Sequence, residues 1–414
     1  MRMISAAAVA VASVAIGVVA AVAGPASAGP ARAASPPTAA QTPAAARSVA
    51  LPAGDLGGVA CQTARNCLAV GVNDPFTPDS VARAASWNGK AWRAVTVKLT
   101  AGATTAQLDG VSCPGTSATD CVAVGNSAPK GNQTYYPSEF VDTWNGRSWA
   151  PLSLNNNAIN TLESVSCLSR KDCLAVGTSN SPDGGFSDEI AVHWNGATWT
   201  ALAPPEPSTS VGFTSVSCAA GPFCVVIGNN NDPTTTTTFI DVWNGKTWKT
   251  LAPAKVKGVT DLVLNSVSCT SARSCVVVGN GTGTGTRGEV AEVWNGRSWT
   301  ATAPIAWPRG ATSPWVDSVS CATARYCLAV GYIDRNPQAN GANTGRAAAS
   351  VWNGKRWTAT AVAAPGQGKA SLFNGVTCLR TTFCAAVGQV GPYDGSSGTE
   401  LAAVWNGRSW RLVG

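Results

Sequence analysis

The 414-residue sequence contains a single histidine, His193, and only 12% charged residues, about half the usual share of roughly 25%. One histidine excludes a multi-histidine metal centre and leaves His193 as the sole base for any Ser-His-Asp triad. Its counterparts elsewhere in the chain are Ser86, Thr143, Val242, Val293, Val351 and Val404. A position so variable is expected to be an ordinary strand residue, not a catalytic one. Low charge with 43 glycines and 16 tryptophans excludes a disordered polyelectrolyte. No D-x-D-x-D-G run is present, so no calcium loop is expected. No segment after the amino-terminal region reads as a helix of three turns, and none is long and apolar enough to span a bilayer.

The amino terminus carries one cation, Arg2, and then an uninterrupted Ala/Val-rich run from Ile4 to Ala23. Gly24-Pro25 breaks the run, and Ala26-Ser27-Ala28 has the small-residue form of a cleavage site. This predicts a secretory signal peptide over 1–28, cleaved after Ala28. The alternative is a retained membrane anchor, because the run approaches spanning length. No cysteine follows the site, so no lipid attachment is expected. Residues 29–52 are Ala/Pro-rich and read as a flexible tether.

Residues 53–414 consist of one unit written seven times, with a period of about 52 residues. Its first half is V-[SAT]-C, a short spacer, a second Cys, two or three apolar residues and Gly. The cysteines pair as Cys61 with Cys67, Cys113 with Cys121, Cys167 with Cys173, Cys218 with Cys224, Cys269 with Cys275, Cys321 with Cys327, and Cys378 with Cys384. The second half is W-N-G-x-x-W, which supplies Trp87 and Trp92, Trp144 and Trp149, Trp194 and Trp199, Trp243 and Trp248, Trp294 and Trp299, Trp352 and Trp357, and Trp405 and Trp410. These pairs absorb all 14 cysteines and 14 of the 16 tryptophans. Each unit holds four short β-type segments, a to d, bounded by Gly, Pro, Asn and Ser. The expectation is an all-β, seven-bladed β-propeller with four antiparallel strands per blade. A β-solenoid or a string of small domains is the alternative, but a lone four-stranded sheet would leave one face wet.

The cysteine spacing supports an a–b hairpin. Both observed separations are even, and opposed residues of an antiparallel hairpin keep a fixed index sum, so two extra loop residues preserve the pairing. Seven hairpin disulfides, one per blade, follow, and secretion would supply the oxidising compartment. Two thiols per unit and no histidine leave no metal site. W-N-G-x-x-W predicts a c–d hairpin, turned either by a two-residue Asn-Gly turn or by a four-residue loop. Both registers put the two tryptophans on one sheet face, where packing between blades is expected in preference to a sugar-stacking site in every blade.

Gly146-Arg147-Ser148-Trp149 and Gly196-Ala197-Thr198-Trp199 resemble the second half of the Asp-box, S-x-D-x-G-x-T-W, which also sits between strands c and d. The chain thus resembles secreted bacterial propellers of the Asp-box and kelch-like kinds over residues 53–414. It departs from them where Trp144 and Trp194 replace the Asp, and where Ala-Val-Gly replaces the kelch double glycine. Asp-box propellers include sialidases and other glycosidases, but no catalytic residue of theirs maps onto this chain.

In a propeller the a–b and c–d turns share one face. Those turns carry Arg65, Lys90, Arg147, Arg170, Lys171, Lys246, Arg273, Arg297, Arg325, Lys355, Arg356, Arg380 and Arg408, against Asp120 and Asp172. A basic face is therefore expected, suited to an anionic polymer or simply solvated. A site used once should stand outside the repeat. Trp307 and Trp315 do so, in the connection between the fifth and sixth units. Tyr135, Tyr136, Tyr332 and Tyr393 lie in b–c loops. Asp183, Asp188, Glu189, Asp334 and Asp394 are candidate carboxylates by location, and Asp232 a weak cation ligand. Ser48-Val-Ala-Leu-Pro52 resembles a d strand and could close the ring. The favoured function is an extracellular binding module, with a glycan-cleaving enzyme or a protein-interaction scaffold as alternatives. Expected partners are a glycan, an anionic cell-envelope polymer or an extracellular protein. No nucleic acid, cofactor or metal is expected. The chain is expected to be monomeric and, once the leader is removed, free of the membrane.

Overall fold

The computed structural model describes residues 54–413 apart from 74–79, 117–118, 130–137, 153–159, 180–187, 206–210, 231–237, 284–285, 335–344, 367–368 and 392–397. The leader, the tether and Ser48–Pro52 lie outside the described residues. The described chain forms seven four-stranded antiparallel sheets, each built from four consecutive strands in the order a-b-c-d. It is a seven-bladed β-propeller. Among the described residues no helix is long and apolar enough to cross a membrane.

The a strands are Asp55–Thr63, Ala103–Ser112, Asn160–Ser169, Val211–Ala219, Asp261–Ser271, Thr312–Thr323 and Ser371–Arg380. Each contacts the a strand of the next blade, and the first also contacts the seventh. First and last blades each supply their own four strands. Among the described residues their seam is closed by side-by-side packing, with no strand exchanged. Gly54 N–H donates to Gly398 O at 3.0 Å, and Asn374 Nδ2 donates to Asp55 Oδ1 at 2.5 Å and Leu56 O at 3.2 Å.

All seven disulfides join the two cysteines of one a–b hairpin, with Cα–Cα distances of 3.9–4.1 Å. Among the described residues no cysteine is free. The c–d turn resolves the open choice of register. Each tryptophan pair is directly opposed, and the Asn N–H donates to the carbonyl of the residue three positions on, as Asn244 does to Thr247 at 3.2 Å. The turn is therefore the four-residue loop, residues 244–247, with Gly245 at φ 88° in the left-handed region that favours glycine. The asparagine opens the loop, and its Oδ1 accepts the N–H groups of Lys246 and Thr247 at 2.9 and 2.8 Å.

The tryptophan pairs lie with ring centroids 5.0–5.7 Å apart. They pack against the preceding blade. Trp405 and Trp410, for example, share a core with Leu328, Val330 and Ala349 of blade six. They are the glue between blades, each buried ring contributing roughly 2 kcal/mol of apolar burial.

The recurring serines have a second role between blades. Ser112, Ser166, Ser217, Ser268 and Ser320 each accept the N–H of the first half-cystine of the next blade, at 2.9–3.0 Å. Two residues earlier, Ser164, Ser215, Ser266 and Ser318 accept the N–H of the next blade's strand-a valine, at 3.1–3.3 Å.

Candidate functional site

The axial channel is where side chains cease to repeat. Every a strand carries a β-bulge four residues before its cysteine, and the bulged residues are Gly57, Asp109, Glu163, Thr214, Asn265, Asp317 and Asn374. A bulge leaves one residue out of the ladder and re-aims its side chain. Here all seven line one axial cavity of about 220 Å³. The glycine ending the apolar run of each b strand, Ala-Val-Gly in five blades, makes this possible. It pairs with the residue just before the bulge, and a Cβ on Gly331 or Gly279 would run into the carbonyl oxygen of Trp315 or Val263.

The cavity is acidic. Asp109 Oδ1 accepts from Gln107 Nε2 at 2.7 Å, while its Oδ2 is shielded and has no hydrogen-bond partner. Burial, and secondarily the charge of Glu163, push the Asp109 carboxyl well above its usual range, and burial raises Glu163 as well. Burial raises Asp317 to about 7, offset in part by a hydrogen bond from the Trp315 side chain. Asp55 is raised to about 6 by burial, against the hydrogen bond from Asn374. Near the seam, burial lifts Glu400 to about 7, with Arg83 opposing. Asp317 in the channel and Glu400 near the seam thus titrate close to neutral pH.

Trp315 lies two residues before Asp317 in the same a strand, opposite Tyr332. It is 38% exposed, one of two exposed large hydrophobic residues among those described. Strand polarity puts it toward the face that carries the d–a connections. Its counterparts around the ring are Asp55, Gln107, Thr161, Gly212, Val263 and Leu372. An aromatic ring therefore borders a ring of carboxyl, amide and hydroxyl groups.

The other sequence candidates divide. Trp307 packs into the core between blades five and six, beside Glu289, and is not paired with Trp315 in one site. Tyr135, Tyr136, Tyr393, Asp183, Asp232 and Asp394 lie outside the described residues. Asp188, Glu189 and Asp334 sit at strand ends and do not line the axial cavity. His193 is a strand-c residue whose Nε2 lies 2.8 Å from Asp172 Oδ1 on the turn face. All thirteen turn cations are exposed. The stems of Arg65, Lys171, Arg273 and Arg325 cover the c–d turn glycine of their own blade, with a Cβ on Gly89 falling 2.8 Å from Arg65 Cγ. Part of the basic pattern is therefore packing by aliphatic stems with the charge left in water. Among the described residues no cluster of three His, Cys, Asp or Glu side chains could hold a metal.

Sequence reasoning missed Asp109, Glu163, Asp317 and Asp55. The signal was present, since the residue before [GS]-V-[STA]-C changes from unit to unit while its neighbours do not.

No protein-family model and no curated protein matches the chain. Solved structures are similar in fold. A PL25 ulvan lyase, a polysaccharide lyase, is 9% identical at a TM-score of 0.55, over 88% of this chain and 97% of that one. The GH74 xyloglucanase of Xanthomonas campestris is 16% identical at 0.54, over 88% of this chain and 55% of that one. YCF48 bound to D1 peptide is 14% identical at 0.51, over 86% of this chain and 95% of that one.

Proposed function

We propose that the chain is an exported glycan-binding propeller whose ligand seats at the mouth of the axial channel. The observation that supports this most is the exposed Trp315, two residues from the channel carboxyl of Asp317, in a ring whose side chains do not repeat. An indole face stacks on the apolar face of a sugar, and carboxylates and amides take its hydroxyls. Asp109, Glu163, Thr214, Asn265 and Asn374 supply those groups. The lining of the mouth holds carboxyl, amide and hydroxyl groups and no Lys or Arg to pair with a polyanion, so the sugar here is neutral or carries an amine. An anionic envelope polymer would belong on the opposite, basic face. The Ala26-Ser27-Ala28 leader and seven disulfides support export. The glycan-active neighbours agree, at the level of fold.

The test is a titration of the purified chain with neutral and amino-sugar oligosaccharides at low and high salt. Binding should resist salt and weaken about tenfold or more in Trp315→Ala, the loss expected for a stacking anchor. Unchanged affinity in that variant, or binding confined to polyanions and abolished by salt, would sink the proposal.

A second reading follows from Asp109 and Glu163. Burial and the neighbouring Glu163 push the Asp109 carboxyl upward, and two adjacent carboxyls of this kind are what an acid–base pair in glycoside cleavage uses. Release of reducing ends by the parent chain, abolished in Asp109→Asn or Glu163→Gln, would favour it.

A further inference from the structure

A second cavity, of about 510 Å³, opens between blades two and three on the turn face. Its floor is Val122 and Leu152 of blade two, its far wall the half-buried pair Trp194 and Trp199 of blade three, and its rim Asp120, Arg170 and Lys171.

Three of the other blades show what can occupy this place. The residue just before the second half-cystine faces the tryptophan pair of the next blade. It is Phe223 in blade four, Tyr326 in blade six and Phe383 in blade seven, and the polar Asn66, Asp172 and Ser274 in blades one, three and five. Phe223 packs on Trp294 and Trp299, Tyr326 on Trp405 and Trp410, and Phe383 on Trp87 and Trp92. In those three interfaces both tryptophans are at most 9% exposed. In blade two the same position is Asp120, held at φ 77° in a turn two residues longer than the others, with Arg170 Nη1 3.7 Å from its carboxylate. No ring enters from this position, and the cavity lies where one would be. In the first interface the equivalent space is crossed by the Gln62 side chain, which donates to Thr119 O and accepts from Asn66.

We infer that this cavity binds a small aromatic carboxylate, whose ring takes the place that Phe223, Tyr326 and Phe383 fill elsewhere. The charge of the rim selects the anion. Arg170 is engaged with Asp120, while the Lys171 stem lies over Gly196 and its ammonium is exposed at the mouth. Two indoles supply the stacking surface and Leu152 the apolar floor. The site is separate from the axial channel in residues, face and charge.

The test uses phenylacetate as probe, with cyclohexylacetate and 2-phenylethanol as controls lacking aromaticity or charge. It is followed by calorimetry and by the indole N–H signals of Trp194 and Trp199. One phenylacetate should bind per chain, shift those signals, and bind about tenfold more weakly to Lys171→Glu, an exposed change that leaves the core untouched. Leu152→Trp, checked for unchanged circular dichroism, should abolish binding by filling the floor. Trp315→Ala should bind phenylacetate as before, which separates this site from the channel. The inference is overturned by no saturable binding at about 10 mM, a concentration above which an occupied specific site is not expected to lie. It is equally overturned by equal affinity for 2-phenylethanol, or by full binding to Lys171→Glu.

Discussion

At the scale of single residues, what the repeat conserves and what it varies separate scaffold from site. The glycine after Ala-Val was legible as a motif, but its reason was not. It makes room for the carbonyl of a bulged strand, and a bulge leaves no mark in the composition of the strand that carries it. Asp109, Glu163 and Asp317 were passed over because only the ring geometry shows that their position faces the axis. A different set of acids lies inside the blades. Asp142, Asp241 and Glu292, two residues before a c-strand tryptophan, are wholly buried. Glu292 Oε2 accepts the Ala254 N–H of the preceding blade at 2.8 Å, and burial raises the carboxyl to about 7. Its unfolded value is 4.5, so between these limits the folded chain keeps a proton that the unfolded chain has released. Its contribution to stability is complete below about 4.5 and is lost as pH rises through about 7. Glu292→Gln keeps the acceptor and removes the charge. It should be neutral at pH 4 and should stabilise by roughly 1–3 kcal/mol at pH 8, read from urea unfolding at the two pH values. An equal effect at both would show that the carboxyl does not titrate in this range.

At the scale of elements, the hairpins were the most legible part, because parity alone fixes which residues of an antiparallel pair oppose each other. Cys269 faces Cys275, and Trp294 faces Trp299, as index sums require. The turn itself was less legible. W-N-G-x-x-W allowed a two-residue turn or a four-residue loop, and here the loop is the longer one, opened by the asparagine and held by its side chain. The reason is the pair of N–H groups, on Arg297 and Ser298, that only an acceptor at that position can satisfy. Each disulfide closes a loop of six or eight positions inside one blade. Removing one therefore relaxes a short segment of the unfolded chain and nothing else. The double variant Cys269→Ala, Cys275→Ala should lose about 2 kcal/mol and remain folded, and the same change in blade three should add to it. Urea midpoints would show this. Collapse of the whole molecule on loss of one bridge would mean that the bridges act between blades as well as within them.

At the scale of the whole molecule, seven blades follow from seven repeats, but the joints between them do not. Their hydroxyl stitches become visible only when neighbouring a strands are side by side. The unit sequence S-V-S-C then has a plain reading, with both serines accepting N–H groups of the next blade. Blade one departs from it. Gly58 and Ala60 stand where blade four has Ser215 and Ser217, so blade one presents no hydroxyl to blade two at either position. Its side of that joint rests on apolar packing of Leu68 and Val70 against Trp144 and Trp149, and on Gln62. Ala60→Ser restores a hydroxyl at the position from which Ser217 accepts the Cys269 N–H at 2.9 Å. The new acceptor faces the N–H of Cys113, and a hydrogen bond there should add about 1 kcal/mol to stability. The converse, Ser217→Ala, leaves the Cys269 N–H without its acceptor in a part-buried joint and should cost roughly 1–3 kcal/mol. Hydrogen exchange locates the effects, with slower exchange of the Cys113 amide in the first variant and faster exchange of the Cys269 amide in the second. If both variants unfold at the parent midpoint and both amides exchange unchanged, the serines are solvated ornaments of the channel wall. The blades are then held by their tryptophans alone.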